Sequence, residues 1–228
     1  MPKSVVTFDI GQTLVDLDLD FLALRLGQRG VTVPTDALRA ALPTAWQRYD
    51  ALTESGASHP WHELMQSLLT GAGVADPMPH VAWLYEQQAT ANLWRKPIPA
   101  MVQIVRELRA RTNDVALAAL SNSEGHLAEL LAEIELAPLF DTIIDSGRVG
   151  VAKPDPRIFA LTLEALAVEP TVIVHVGDSW AADVEGALAA GWNAIWYRSR
   201  ASKGNADPRV PIATNAAETR AALSSFGV

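Results

Sequence analysis

With 228 residues the chain can bury one sizeable core carrying an inserted subdomain, or form two small domains. It contains no cysteine, which excludes disulfides, thiolate nucleophiles and cysteine metal sites. A formal charge of -8 argues against nonspecific nucleic-acid or anionic-membrane partners, and no apolar run approaches membrane-spanning length.

The first residues, Met1-Pro2-Lys3-Ser4, show no basic region, long apolar segment or small-residue cleavage site, so a soluble, cytoplasmic protein is the expectation. They lead into a short apolar strand, 5–7, that delivers Asp9 into a tight loop containing Gly11. A carboxylate at the end of a buried strand is expensive to desolvate unless a metal, a cation or hydrogen bonds hold it. Asp9 therefore reads as a working group.

Beyond this loop strand-like runs disappear. Helical periodicity predicts helices over 21–28, 36–52, 61–69 and 79–92, with breaks at Pro34, Gly56, Pro60, Gly71, Gly73 and Pro77. Trp46, Tyr49, Trp61, Trp83, Tyr85 and Trp94 cluster in this part of the chain, with His59, His62 and His80. They either fill a small helical core or offer stacking surfaces and titratable groups to the organic part of a substrate. The chain returns through Arg95-Lys96-Pro97-Ile98-Pro99, whose prolines stop the preceding helix; with Asp16 this segment is the expected hinge.

The second half alternates. Strands are predicted at 117–120, 143–144, 172–176 and 194–196, and helices at 100–109, 125–134, 157–166 and 181–190. Such alternation implies an α/β fold, a doubly wound parallel sheet with helices on both faces. Residues 1–16 and 96–228 make this core, and 17–95 the helical insertion. Ligands bind such sheets at the carboxyl ends of the strands, where Asp9, Ser121 and Asp178 fall. The segment 198–215 reads as a surface loop before a last helix over 216–224.

Three later segments carry chemistry. The Ser121 hydroxyl and the Asn122 backbone N–H, placed at a helix amino terminus, suit phosphate; Ser121 or Ser123 as an ordinary helix cap is the alternative. Lys153 is one of four lysines, and Asp155-Pro156 after it reads as an N-cap with proline at the first helical position, leaving Lys153 just outside the helix. Asp178 and Asp183 are spaced so that one sits on a loop and the other in the next helix's first turn, facing a common point. Carboxylates brought near Asp9 repel unless a cation joins them, and oxygen-only ligation beside a phosphate suits Mg2+. The alternative for Asp183 is a carboxylate that answers a helix dipole. His175, inside an apolar strand, is expected to be a hydrogen-bonded core histidine.

In this order the four segments, Asp9-Ile10-Gly11-Gln12-Thr13, Ser121-Asn122, Lys153-Pro154-Asp155-Pro156 and Gly177-Asp178-Ser179-Trp180-Ala181-Ala182-Asp183, resemble the signature motifs of the haloacid dehalogenase-like (HAD) hydrolases. The resemblance spans 5–197 and implies that 17–95 is an α-helical cap between the first and second motifs. It implies Asp9 as the nucleophile that attacks phosphorus of a small phosphorylated metabolite, forming an aspartyl-phosphate that water hydrolyses. It groups Thr13, Ser121 and Lys153 with the catalytic residues, and Gln12, Ser121, Asn122 and Lys153 with the substrate. Asp9, the Gly11 carbonyl and Asp178 would ligate Mg2+, with Asp183 acting partly through water.

Gly11 departs from the pattern. Most family phosphatases carry an aspartate there, which protonates the leaving oxygen and later activates water; glycine can do neither, and the Gln12 amide does not titrate near neutral pH. Three routes remain: a leaving group able to depart unprotonated, an acid from the substrate or cap, with His62 as candidate, or loss of turnover. The last makes the chain a non-catalytic phosphate-ligand or protein-binding module. A 2-haloacid dehalogenase-like activity is a further alternative, since those relatives also lack this aspartate, but Asp178 and Asp183 would then form an uncompensated charge cluster. Phosphonate cleavage needs a cap lysine, and none lies between Lys3 and Lys96. Neither nucleic acid nor membrane is an expected partner, and both monomer and homodimer fit.

Overall fold

A computed structural model describes residues 4–55, 60–111, 114–169, 171–198 and 207–228. Gly56 and His59 of the helical region, and 199–206 of the expected surface loop, lie outside them. The chain divides into two compact units, Met1–Leu17 with Trp94–Val228, and Asp18–Leu93.

The larger unit opens with β1 (Ser4–Phe8) and β2 (Val15–Leu17). The smaller unit follows as four helices, α1 (Leu19–Gln28), α2 (Thr35–Glu54), α3 (Trp61–Gly71) and α4 (Met78–Glu86). The larger unit resumes with β3 (Trp94–Pro97), α5 (Pro99–Arg109), β4 (Val115–Ser121) and α6 (Leu127–Glu133). Then come β5 (Thr142–Asp145), α7 (Ser146–Val149), α8 (Pro156–Leu166) and β6 (Val172–Gly177). A π-helical turn, Trp180–Glu185, runs into α9 (Gly186–Ala189), and β7 (Asn193–Tyr197), β8 (Ile212–Ala213) and α10 (Ala216–Ser225) complete the unit.

The six-stranded sheet has the order β5-β4-β1-β6-β7-β8 with every pairing parallel. Successive side chains leave a strand on opposite faces. Val6, Phe8, Leu117, Ala119, Val174 and Val176 accordingly meet Met101, Val105 and Leu131 on one face. Leu120, Ile144, Ala194 and Trp196 meet Ile158 and Phe159 on the other. Each fully buried side chain of this size contributes roughly 1.5–3 kcal/mol through its removal from water. Because both faces are covered, β1 and β4 are buried throughout, and their carboxyl ends, with that of β6, stop side by side.

Several elements differ from the sequence expectation. Helix α6 begins at Leu127 because Gly125 adopts a left-handed conformation (φ 94°). Helix α4 stops at Glu86, and the buried Gln88 side chain accepts from the Leu93 N–H (3.1 Å), closing a turn where helix was expected. The residues on either side of the insertion pair as an antiparallel ribbon, β2 with β3, Val15 opposite Pro97 and Asp16 opposite Lys96. Part of the expected surface loop is β8, which adds a short edge strand beside β7 and buries Ala213.

In the smaller unit Leu22, Leu26, Leu38, Ala45, Leu64, Met65, Leu68 and Leu84 are buried. Trp46, Tyr49 and Trp61 are buried too, so these three aromatics fill a helical core, whereas Tyr85 is exposed and Arg25 stacks over Trp83 (4.6 Å). Among the described residues no helix is long and apolar enough to cross a membrane.

Candidate active site

The site grows from the end of β1. The Asp9 N–H donates to the Val176 carbonyl (2.9 Å), carrying the ladder one residue past the strand. The backbone then reverses: Leu14 and Val15 N–H groups donate to the Ile10 carbonyl (2.9 Å each), and Gln12 takes a left-handed conformation (φ 59°). Such a conformation is uncommon outside glycine and marks a constrained turn.

Asp9 is buried, and its Oδ1 accepts from Ser121 Oγ (3.0 Å) and Lys153 Nζ (2.8 Å). Among the described residues no protein donor engages Oδ2. Lys153 is buried as well, and its ammonium has three protons. They go to Asp9 Oδ1, to Asp183 Oδ1 (2.6 Å) and to the Leu120 carbonyl (2.7 Å). Asn122 joins the same assembly through its side chain: Nδ2 donates to the Lys153 carbonyl (3.0 Å) and Oδ1 accepts from the Lys153 N–H (2.8 Å). This two-point clamp fixes the lysine loop to the end of β4. Ser121 and Asn122 do not stand at a helix amino terminus, since α6 starts only at Leu127; the expected helix-dipole setting is replaced by contacts to Asp9 and Lys153.

Asp183 sits in the π-helical turn with its carboxylate folded back beneath β6. Its Oδ1 accepts from Lys153 and from His175 Nε2 (3.1 Å), and its Oδ2 from the Ser179 N–H (2.8 Å). This approach demands glycine at 177, where a Cβ would lie 2.3 Å from Asp183 Cγ. Asp178 is half-buried at the mouth, its carbonyl accepting from Trp196 Nε1 (2.8 Å). One carboxylate oxygen from each of Asp9, Asp178 and Asp183 lies within 4.8 Å of the other two.

Burial pushes the Asp9 carboxyl above its usual range; the Lys153 charge pulls it back, and Asp183 pushes it up further. Burial works against the Lys153 ammonium, yet Asp183 and Asp9 outweigh it and hold this pKa above the ordinary lysine value. Burial likewise opposes ionisation of Asp183, but the Lys153 charge and the His175 hydrogen bond prevail, so its pKa lies far below the carboxylate range. Burial lowers the pKa of His175. It is a hydrogen-bonded core histidine, and one of its partners belongs to the site.

Thr13 is fully buried and, among the described residues, Oγ1 has no hydrogen-bond partner; the buried Gln12 Oε1 has none among them either. A Cβ at Gly11 would find Trp94 Cδ1 as its nearest neighbour at 3.7 Å, an ordinary contact. His62 lies in the smaller unit against Tyr85 and Trp61, with ring centroids 4.4 and 5.4 Å away. One organising residue escapes sequence reasoning: buried Asp145, whose carboxylate accepts from the N–H groups of Gly125 (3.1 Å), Leu127 (2.9 Å) and Gly147 (2.9 Å). It holds the loop that follows Asn122. The available signal was an aspartate ending the strand next to Ser121, followed by Ser146-Gly147.

Comparison with known proteins places this geometry among relatives. A hydrolase family described as haloacid dehalogenase-like hydrolase matches residues 3–191. "Haloacid dehalogenase-like hydrolase domain-containing protein 3" from Bos taurus is 30% identical over 205 residues, covering 84% of this chain and 80% of that protein. A glyceraldehyde 3-phosphate phosphatase from Methanopyrus kandleri is 30% identical over 151 residues, 65% of this chain and 63% of that one. The crystal structure of a putative HAD-hydrolase from Bacillus subtilis bound to magnesium shares the fold, with a TM-score of 0.69 at 20% identity, over 98% of this chain and 99% of that one.

Proposed function

We propose that this chain, which belongs to the haloacid dehalogenase-like hydrolase family, is a Mg2+-dependent phosphohydrolase that acts on a small phosphorylated metabolite through an aspartyl-phosphate on Asp9. The observation that carries the reading is the convergence of Asp9, Asp178 and Asp183 within 4.8 Å, with Lys153 bonded to two of them. Three carboxylates facing one ammonium call for further positive charge. The donor set is all oxygen, which fits a hard divalent cation. Asp9, the Gly11 carbonyl and Asp178 would hold it; Asp183, already engaged by three protein donors, would act through water. Bound Mg2+ supplies the charge that offsets both the carboxylates and the phosphoryl oxygens.

The residues of the chain divide the remaining work. Ser121 and Lys153 grip Oδ1 of Asp9 and so stop the carboxylate from rotating, leaving Oδ2 to attack. As the Oδ2–P bond forms, the bond from phosphorus to the substrate oxygen breaks and that oxygen leaves with the electron pair. Water then attacks phosphorus, the Oδ2–P bond breaks, inorganic phosphate departs with the Asp9 carboxylate restored, and the water proton passes to solvent. Lys153 first serves to fix the nucleophile; to reach a phosphate it must exchange one of its three internal bonds. Thr13 Oγ1 and Gln12 Oε1 hold unused hydrogen-bonding capacity on the nucleophile's own loop, suited to substrate and water.

With glycine at 11, no side chain there protonates the leaving oxygen, so turnover should depend steeply on leaving-group acidity. Gly11→Asp, whose Cβ would make only an ordinary contact with Trp94, should flatten that dependence across a series of aryl and alkyl phosphates. The primary test is hydrolysis of p-nitrophenyl phosphate with and without Mg2+, with Asp9→Asn as control. Metal-stimulated turnover abolished by Asp9→Asn is the expected result. Phosphate binding without turnover would instead identify a binding module, and metal-indifferent halide release from a 2-haloacid would identify a dehalogenase.

A further inference from the structure

Strand β6 carries one polar side chain among its apolar ones, His175 between Val174 and Val176, and the mechanism above does not use it. It is fully buried, and so is Thr7, its register partner on the adjacent strand β1. Thr7 Oγ1 lies 2.7 Å from His175 Nδ1, and His175 Nε2 lies 3.1 Å from Asp183 Oδ1. The Phe159 ring packs edge-on against the imidazole, with centroids 5.9 Å apart and planes at 90°. A valine would serve packing at this position without the desolvation penalty of a buried imidazole, and that penalty is tolerable only because both ring nitrogens are engaged.

We propose that Thr7 and His175 form a positioning pair that locks the Asp183 carboxylate and, through it, holds the Lys153 ammonium on the nucleophile. The proposal rests on the reading of the site given above and assigns a role to two residues outside its motifs. An ionised carboxylate only accepts, so the His175 Nε2 must carry the proton. On a ring with one proton Nδ1 is then an acceptor, and the Thr7 hydroxyl 2.7 Å away donates to it. Asp183 thus fixes the tautomer, and Thr7 satisfies the nitrogen that this tautomer leaves as a buried acceptor, so the ring is held from both sides. With Oδ1 held by His175 and Oδ2 by the Ser179 N–H, the Asp183 carboxylate cannot rotate, and Lys153 is bonded at once to it and to Asp9. Among the described residues Asp183 is the one residue of the site to which His175 is hydrogen-bonded, so its action is indirect. The arrangement parallels the outer partners that orient metal-ligating side chains, whose removal typically lowers affinity or activity.

Two measurements on the full chain test this. In 15N-histidine NMR, wild-type His175 should show the Nε2–H tautomer with Nδ1 hydrogen-bonded, and Thr7→Val, which keeps the shape but removes the donor, should leave the tautomer in place while moving the Nδ1 resonance downfield to that of an unbonded acceptor. In p-nitrophenyl phosphate hydrolysis with Mg2+, His175→Leu should lose roughly 10- to 100-fold in kcat with KM little changed. His175→Gln, which restores an N–H at the ε position, should recover most of that loss. An Nδ1–H tautomer in the wild type overturns the proposal, as does an Nδ1 resonance unmoved by Thr7→Val. So does a folded His175→Leu protein with wild-type kcat, or a glutamine variant no better than leucine. If the wild type carries the Nε2 proton yet hydrolyses no phosphate ester, the phosphatase reading fails, and the response to Thr7→Val alone decides the pair.

Discussion

The two halves of the site are built on opposite principles. Around Lys153, Asp183 and His175 every ammonium proton and both ring nitrogens have a partner inside the protein. In the loop after Asp9, by contrast, Thr13 Oγ1 and Gln12 Oε1 are buried without one among the described residues, and Gln12 is held in a left-handed conformation. A saturated network resists deformation and sets where Asp9 stands, whereas an unsaturated one keeps hydrogen-bonding capacity for something that arrives. Changes in the first half should therefore cost stability and activity together, and changes in the second activity alone.

The largest effect should follow from Lys153→Ala. It strands two buried carboxylates, and breaking a buried ion pair in this way costs about 3–5 kcal/mol, which urea unfolding would measure beside a loss of turnover. Gly177→Ala comes next. Its methyl group would overlap Asp183 Cγ, so a loss of about 1–3 kcal/mol is expected from overpacking, with Asp183 displaced. Thr13→Val carries the comparison into the other half, where the sign should reverse. Removing a buried hydroxyl without a partner should raise stability by about 1 kcal/mol while turnover falls. Equal losses of stability at Thr13 and Gly177 would erase the distinction between the halves.

The smallest effect concerns pH. The pKa of His175 in the folded protein lies below the ordinary value of 6.5, so below pH 6.5 the unfolded chain binds a proton that the folded one refuses. Stability contributed by the neutral ring is thus present above pH 6.5 and is lost as pH falls from there toward the folded pKa, by at most about 1.4 kcal/mol per pH unit. Unfolding of His175→Gln followed over the same window should lack this slope. An unchanged slope would mean that the imidazole is not held neutral.

Much of this was legible in the amino-acid chain, for physical reasons that also explain the gaps. Short apolar runs alternating with helical patterns foretold the parallel sheet, because strands covered on both faces must be apolar throughout. Carboxylates at the ends of buried strands, with Asp183 spaced to face the same point as Asp178, implied a charged cluster, and the family resemblance implied Lys153 beside it; the four do meet. What could not be read depends on contacts between distant segments. The side chain of Asn122 clamps the lysine loop, Asp145 ties down the loop beyond it, and Gly177 is glycine because of Asp183. Strands as short as β2, β3 and β8 hold too few residues for any periodicity to appear. Expecting α6 from 125 overlooked the left-handed turn at Gly125, and phosphate was therefore given a helix end that the fold puts elsewhere.

The central claim is that Asp9 Oδ2 captures a phosphoryl group while a divalent cation offsets the surrounding carboxylates. Rapid acid quench of the protein during turnover of p-nitrophenyl phosphate, followed by peptide mass spectrometry, tests it most directly. The account predicts a phosphoryl adduct on Asp9 that requires Mg2+ and is absent from Asp9→Asn. Turnover with no adduct on Asp9, or an adduct formed equally well without the metal, would contradict it.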